Sequence, residues 1–239
     1  SCSLGVACLI APLNGQSAAT GRPSILNGEW PDYSGDLRGW RYSPLDQIDA
    51  SNFNQLQVAW RFKTDHLGPR PEYKLEGTPV MVKGMLYTTG GTRRSVISLD
   101  GRTGELNWAH SLREGRRAAV SPRQLSGRGV SYWTDGKGDE RVIYVTTGYQ
   151  LVELDAKTGA MIQSFANKGV LDLKVGVVKG VNQQIDLETG EIGIHSTPAV
   201  VGDRIYLISN QGMDDEYVQA LSVSDAKQIW RTRIACGRS

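Results

Sequence analysis

The chain has 239 residues, 39% of them hydrophobic and 22% charged, which is enough apolar material for one or two packed domains. Its net charge of +2 is too small for nucleic acid or a membrane surface to be the main partner. The three cysteines, Cys2, Cys8 and Cys236, all lie near the ends, which excludes a disulfide framework or a Cys-x-x-Cys metal site in the body of the chain.

Residues 1–20, "SCSLGVACLIAPLNGQSAAT", hold a short apolar run, Leu4 to Leu13, followed by small residues. This is the pattern of the end of a secretory signal peptide and is too short to span a bilayer, so export is expected. A frayed apolar terminus is the plainer alternative. Residues 21–239 then read as one partial domain. It opens with an arm over 27–65 that has a turn-rich start, a short helix after Ser51 and a strand ending in Trp60.

From residue 76 onward the chain repeats itself. "SVISLDGRTGELNWAH" (Ser95 to His110) returns as "QLVELDAKTGAMIQSF" (Gln150 to Phe165). The alternating apolar residues have strand periodicity. The Asp-x-x-Thr-Gly that follows is turn chemistry: Asp100 and Asp155 can accept backbone N–H groups, and Gly104 and Gly159 can take positive φ. "ELNW" and "AMIQSF" are then the returning strands. A second hairpin precedes each of these: "EGTPVMVKGMLYTTGG" (Glu76 to Gly91), a blurred copy in "GVSYWTDGKGDERVIYVTTG", and "HSTPAVVGDRIYLISN" (His195 to Asn210).

Four-stranded meanders are thus expected at about 76–110, 129–166 and 195–231. An inserted hairpin over about 169–194 carries a further Asp-x-x-Thr-Gly at Asp186 to Gly190. The third copy is degenerate. "VQALSVSDAKQIW" aligns with "VISLDGRTGELNW" without a gap, yet Ser222 replaces the turn aspartate and Asp225-Ala226 replace Thr-Gly. Trp60, Trp108 and Trp230 are expected to pack between units.

Four-stranded repeats of this length are the signature of an all-β fold, the β-propeller. Here there are about three blades plus the N-terminal arm, an incomplete ring. Three blades would leave open edges and apolar faces, so the stretch is expected to be part of a longer protein.

The arm, "EGTPVMVKGMLY" and "RGVSYW" (Arg128 to Trp133) together resemble the N-terminal part of the pyrroloquinoline quinone (PQQ)-dependent, or quinoprotein, alcohol and sugar dehydrogenases. The resemblance covers residues 27–200 well and the last forty only as a generic repeat. It implies an eight-bladed propeller, PQQ and Ca²⁺ as cofactors, a small alcohol or sugar as substrate, and cytochrome c or a quinone as electron acceptor. It implies a periplasmic or otherwise exported location, with membrane association left open.

It also implies that Glu76 lies at the cofactor, that Arg128 grips its carboxylates, and that His195 touches its edge. Guanidinium groups suit a tricarboxylate, because they bind carboxylate oxygens in two-pronged pairs. In the family, hydride passes from the substrate's carbinol carbon to a PQQ carbonyl carbon, with Ca²⁺ as Lewis acid and an aspartate as base. That base, and most calcium ligands, are expected beyond Ser239, so the stretch alone is expected to be inactive.

Two departures bear on substrate and metal. No adjacent cysteines stand before Arg128, which leans toward the sugar-oxidising or a divergent branch. Gln211-Gly212-Met213 stands where a calcium-binding glutamate is expected, with Asp214, Asp215 and Glu216 nearby as either ligands or a solvated turn.

Arg93, Arg94, Arg113, Arg116, Arg117, Arg123 and Arg128 form either an anion-attracting patch or a solvated loop face. His66, His110 and His195 lack zinc-ligand spacing, and Asp135, Asp139 and Glu140 read as a polar hairpin tip. A protein-binding scaffold propeller without catalysis is the competing function.

Overall fold

The structure is a computed structural model and describes residues 22–69, 75–121, 129–179, 183–194, 196–210 and 216–234. The signal-like segment lies outside them. Three antiparallel four-stranded sheets follow one another along the chain. Blade one holds β1 (Val80–Val82), β2 (Met85–Gly90), β3 (Ser95–Asp100) and β4 (Leu106–His110). Blade two holds β5 (Ser131–Thr134), β6 (Glu140–Val145), β7 (Gln150–Asp155) and β8 (Val170–Asp172). A two-stranded ribbon, β9 (Val178–Lys179) with β10 (Gln183–Gln184), comes next. Blade three holds β11 (Ala199–Val201), β12 (Arg204–Asn210), β13 (Glu216–Ser222) and β14 (Gln228–Ile234). A four-residue helix, α1 (Arg116–Ala119), lies between blades one and two.

The Asp-x-x-Thr-Gly turns close as their chemistry dictates. Asp100 Oδ1 accepts from the N–H groups of Arg102 (2.9 Å) and Thr103 (2.8 Å), and Asp155 Oδ1 from those of Lys157 (3.0 Å) and Thr158 (2.8 Å). Gly104 and Gly159 take φ of 75° and 72°. Asp186 builds the same turn, but after the β9–β10 ribbon rather than at its tip.

Blade two departs from expectation at its outer edge. Of "AMIQSF" only Met161 pairs with β7, in a single bridge to Leu154. Phe165 instead turns into the core, fully buried beside Leu173 and Val177. The chain then bends through positive φ at Ala166, Lys168 and Gly169 and returns as β8, opposite Gln150–Val152. Burial of a large aromatic outweighs the continuation of a strand whose alternation looked sufficient. In the arm, the short helix is a 3₁₀ turn at Phe53–Gln55, and the segment ending in Trp60 has no strand partner among the described residues.

Alternation in the blade-two strands separates two hydrophobic layers. Val142, Tyr144, Val152 and Leu154 pack against Val80, Val82, Tyr87 and Val96 of blade one. Ile143, Val145 and Leu151 pack against Ile205, Leu207, Leu221 and Val223 of blade three. The far side of blade three is open: Val201, Ile208, Trp230 and Ile234 are all exposed.

Tryptophans fasten one unit to the next. Trp60 Nε1 donates to the Gly101 carbonyl (3.2 Å), and Trp108 Nε1 to the Ala156 carbonyl (3.0 Å). Each indole lies over the turn glycine of that blade, where an added Cβ would stand 2.5 Å from the Trp60 ring at Gly104 and 2.6 Å from the Trp108 ring at Gly159.

Blade two has Gln163 where blade one has Trp108, and a different donor takes over. Arg141, on β6, donates Nη1 to the carbonyl of Val223 (3.0 Å), the counterpart of Gly101 and Ala156. Its guanidinium lies 5.0 Å from the Trp133 ring centroid, and Trp133 Nε1 donates to the Gly202 carbonyl (2.7 Å). In the third turn Ala226 occupies the glycine position, at φ 63°.

Left-handed backbone still disfavours alanine by roughly 1–2 kcal/mol. Because some buried methyl surface is lost in exchange, Ala226→Gly is expected to raise stability by about 1 kcal/mol, read as a higher urea midpoint at unchanged m-value.

Candidate functional site: the inner rim of the blades

The first strand of each blade begins beside the first strand of its neighbour. Thr78, just before β1, forms a parallel bridge with Gly129, just before β5. Ser131 Oγ, at the start of β5, donates to the Pro198 carbonyl just before β11. Gly77 permits this approach, since an added Cβ would come within 3.2 Å of the Gly129 nitrogen. The entry points of β1, β5 and β11 therefore form one continuous rim.

Glu76 stands at this rim, two residues before the Thr78 bridge, and is half-buried. Arg128 and His195 lie outside the described residues, as do Gln211 to Asp215 and Arg123. Their described neighbours Gly129 and Pro198 take part in the rim pairing. Among the described residues no cluster of three or more His, Cys, Asp or Glu side chains forms a metal site. The polar tip expected at Asp135–Glu140 is a turn: Asp135 Oδ1 accepts from the N–H groups of Lys137 (2.7 Å) and Asp139 (3.1 Å). Glu140 is buried and pairs with Lys83 of blade one.

The arginine run divides by function. Arg94 is buried at φ 49°, and its Nη1 donates to the carbonyls of Val145 (3.3 Å) and Thr146 (3.1 Å). Arg117 clamps Asp172 with two bonds of 2.7 and 2.6 Å and also donates to the Gly148 carbonyl (2.6 Å). That pairing holds the Asp172 carboxyl below its ordinary range against the opposing effect of burial. These two are fastenings, a role that sequence alone did not separate from an anion patch. Arg93, Arg113 and Arg116 are exposed. His110 is half-buried, and desolvation lowers its pKa, so its imidazole is neutral at pH 7.

Residues 30–235 match the family described as PQQ: glucose/ethanol/alcohol dehydrogenase, beta-propeller domain. The glycerol dehydrogenase large subunit of Gluconobacter oxydans is 28% identical over 84% of this chain and 27% of its own length. The quinoprotein glucose dehydrogenase of Escherichia coli is 30% identical over 68% of this chain and 22% of its own. Among solved structures, the quinohemoprotein alcohol dehydrogenase of Comamonas testosteroni superposes with a TM-score of 0.67 at 25% identity, covering 87% of this chain and 27% of that one. The chain thus spans about a quarter of the length of these relatives. With three four-stranded blades in an unclosed arc and the family match covering most of its length, the chain belongs to the PQQ-dependent glucose/ethanol/alcohol dehydrogenase β-propeller family.

Proposed function

We propose that these residues are one part of an exported PQQ-dependent dehydrogenase that oxidises alcohols or sugars, and that they supply part of the cofactor pocket. The observation that carries this reading is the rim: the Thr78–Gly129 and Ser131–Pro198 contacts draw together the strand entries next to Glu76, Arg128 and His195. The donor chemistry fits the cofactor. An arginine offers a planar fork to carboxylate oxygens, and an imidazole offers one hydrogen-bonding edge to the ring system.

When bound, PQQ supplies the two-electron redox chemistry; this chain's own residues bind and orient it. Arg128 would neutralise carboxylate charge, Glu76 would offer oxygen from the rim, and His195 would meet the cofactor's edge. Ca²⁺ belongs to the proposal for the whole protein, since the described residues do not by themselves form its site. The electron acceptor is cytochrome c or a quinone.

Fluorescence titration of PQQ into the protein, expressed with whatever coding sequence flanks these residues, tests the reading. Arg128→Ala is expected to weaken binding tenfold or more, the value of a lost charge-assisted pair. Absence of PQQ binding by the unmodified protein overturns the dehydrogenase reading in favour of a scaffold.

A further inference from the structure

A second concave site is lined by the β2–β3 turn and the segment that follows β4. A cleft of about 450 Å³ is lined by Arg93 from the β2–β3 turn and by Leu112, Arg113, Glu114, Gly115 and Ala118 from the segment after β4. None of these residues belongs to β1, β5 or β11. A neighbouring recess shares Arg93 and adds His66 and His110.

Both walls are held by the residue next to the exposed arginine. Arg94 fixes one by bonding the carbonyls of Val145 and Thr146. Glu114 fixes the other, accepting from Thr146 Oγ1 (2.7 Å) and the Gly148 N–H (2.9 Å). The two anchors grip the same β6–β7 connection, so the backbones carrying Arg93 and Arg113 are set relative to each other before any ligand arrives. The carboxylate oxygens of Glu114 are already engaged with blade two, while Arg93 and Arg113 have no ion pair among the described residues. Leu112 and Ala118 add an apolar surface to the same cleft.

We propose that this cleft binds a small organic anion, one carboxylate held between Arg93 and Arg113 and an apolar body against Leu112 and Ala118. Two guanidiniums on fixed walls suit a planar carboxylate, and their preorganisation reduces the entropy lost on binding. The cleft would serve as an effector or second-substrate site rather than the place of redox chemistry.

Calorimetric titration of the whole protein with benzoate tests this, with benzamide as the neutral analogue and inorganic phosphate as the anion without an apolar body. Benzoate is expected to bind and benzamide not. Arg93→Ala and Arg113→Ala are each expected to weaken benzoate about tenfold, and Arg113→Lys by less, because lysine keeps the charge but not the fork. PQQ affinity is expected to stay unchanged in Arg93→Ala/Arg113→Ala, which separates this site from the rim.

The inference is overturned by absent benzoate binding, by unchanged affinity in the double variant, or by phosphate binding as tightly as benzoate. It is also overturned by competition between benzoate and PQQ. Both side chains are exposed, and the unfolding midpoint of each variant confirms that it is folded.

Discussion

Replacing Gly159 with alanine is expected to lower the stability of the protein by about 2–4 kcal/mol, combining left-handed strain with overpacking. The glycine sits at φ 72°, and its added Cβ would stand 2.6 Å from the Trp108 ring, which is itself tied to the Ala156 carbonyl. The indole cannot retreat without giving up that hydrogen bond and its contact with blade two. Gly136 is the matched control: its φ is 75°, and nothing lies within 4 Å of where its Cβ would be. Gly136→Ala should therefore carry the backbone strain alone, about 1 kcal/mol. Urea unfolding of the two variants checks the argument, and equal losses at the two positions would remove the ring contact from it.

A pH effect of similar size is expected from Glu153. Its side chain is wholly buried on β7, with Oε2 2.8 Å from Arg141 Nη1 and Oε1 without a hydrogen-bond partner among the described residues. Burial pushes its pKa up to about 8, against the pull of Arg141. Arg141 restrains it only in part because that guanidinium also holds Asp139, through Nη2 at 2.7 Å and Nε at 3.0 Å.

The sign follows from which state holds the proton. Between the ordinary glutamate range and about pH 8, the folded chain keeps a proton that the unfolded chain releases, so stability falls as pH rises through this window. At roughly 1.4 kcal/mol per unit, the total loss is on the order of 5 kcal/mol. Glu153→Gln keeps the shape and removes the titration. Denaturation at pH 5 and pH 8 should show a marked fall for the unmodified protein and a nearly level response for the variant. A level response in both would place the Glu153 pKa in the normal range.

The blades were legible because their turns are chemically explicit. Asp-x-x-Thr-Gly names its own hydrogen bonds, and Gly104 and Gly159 adopt the positive φ that the pattern requires. The gapless alignment puts Trp230 at the place of Trp108, and in the fold Trp230 pairs with Ala220 as Trp108 pairs with Ser98. What could not be read was decided by contacts distant in sequence. Phe165 leaves its strand for a core made with Leu173 and Val177. Arg141 takes over a hydrogen bond that a tryptophan makes in the preceding units, and nothing in "DERVIY" announces it.

The same holds for the site. Glu76 could be placed at a blade entry from the Thr-Pro pattern, and it stands at the rim. Arg94 and Arg117 carry the same charge as Arg93 and Arg113. Only the position of Val145, Thr146 and Asp172 in the fold separates internal braces from exposed cations.

The tryptophan fastenings carry a direction. Trp60 reaches a carbonyl 41 residues later and Trp108 one 48 residues later, so each indole meets a turn that follows it in the chain. At roughly 5–20 residues per second, a nascent chain would wait a few seconds between presenting each latch and delivering its catch. Translation and blade stacking would then proceed in step from the same end, first Trp60 and then Trp108 left extended for the next unit to come off the ribosome.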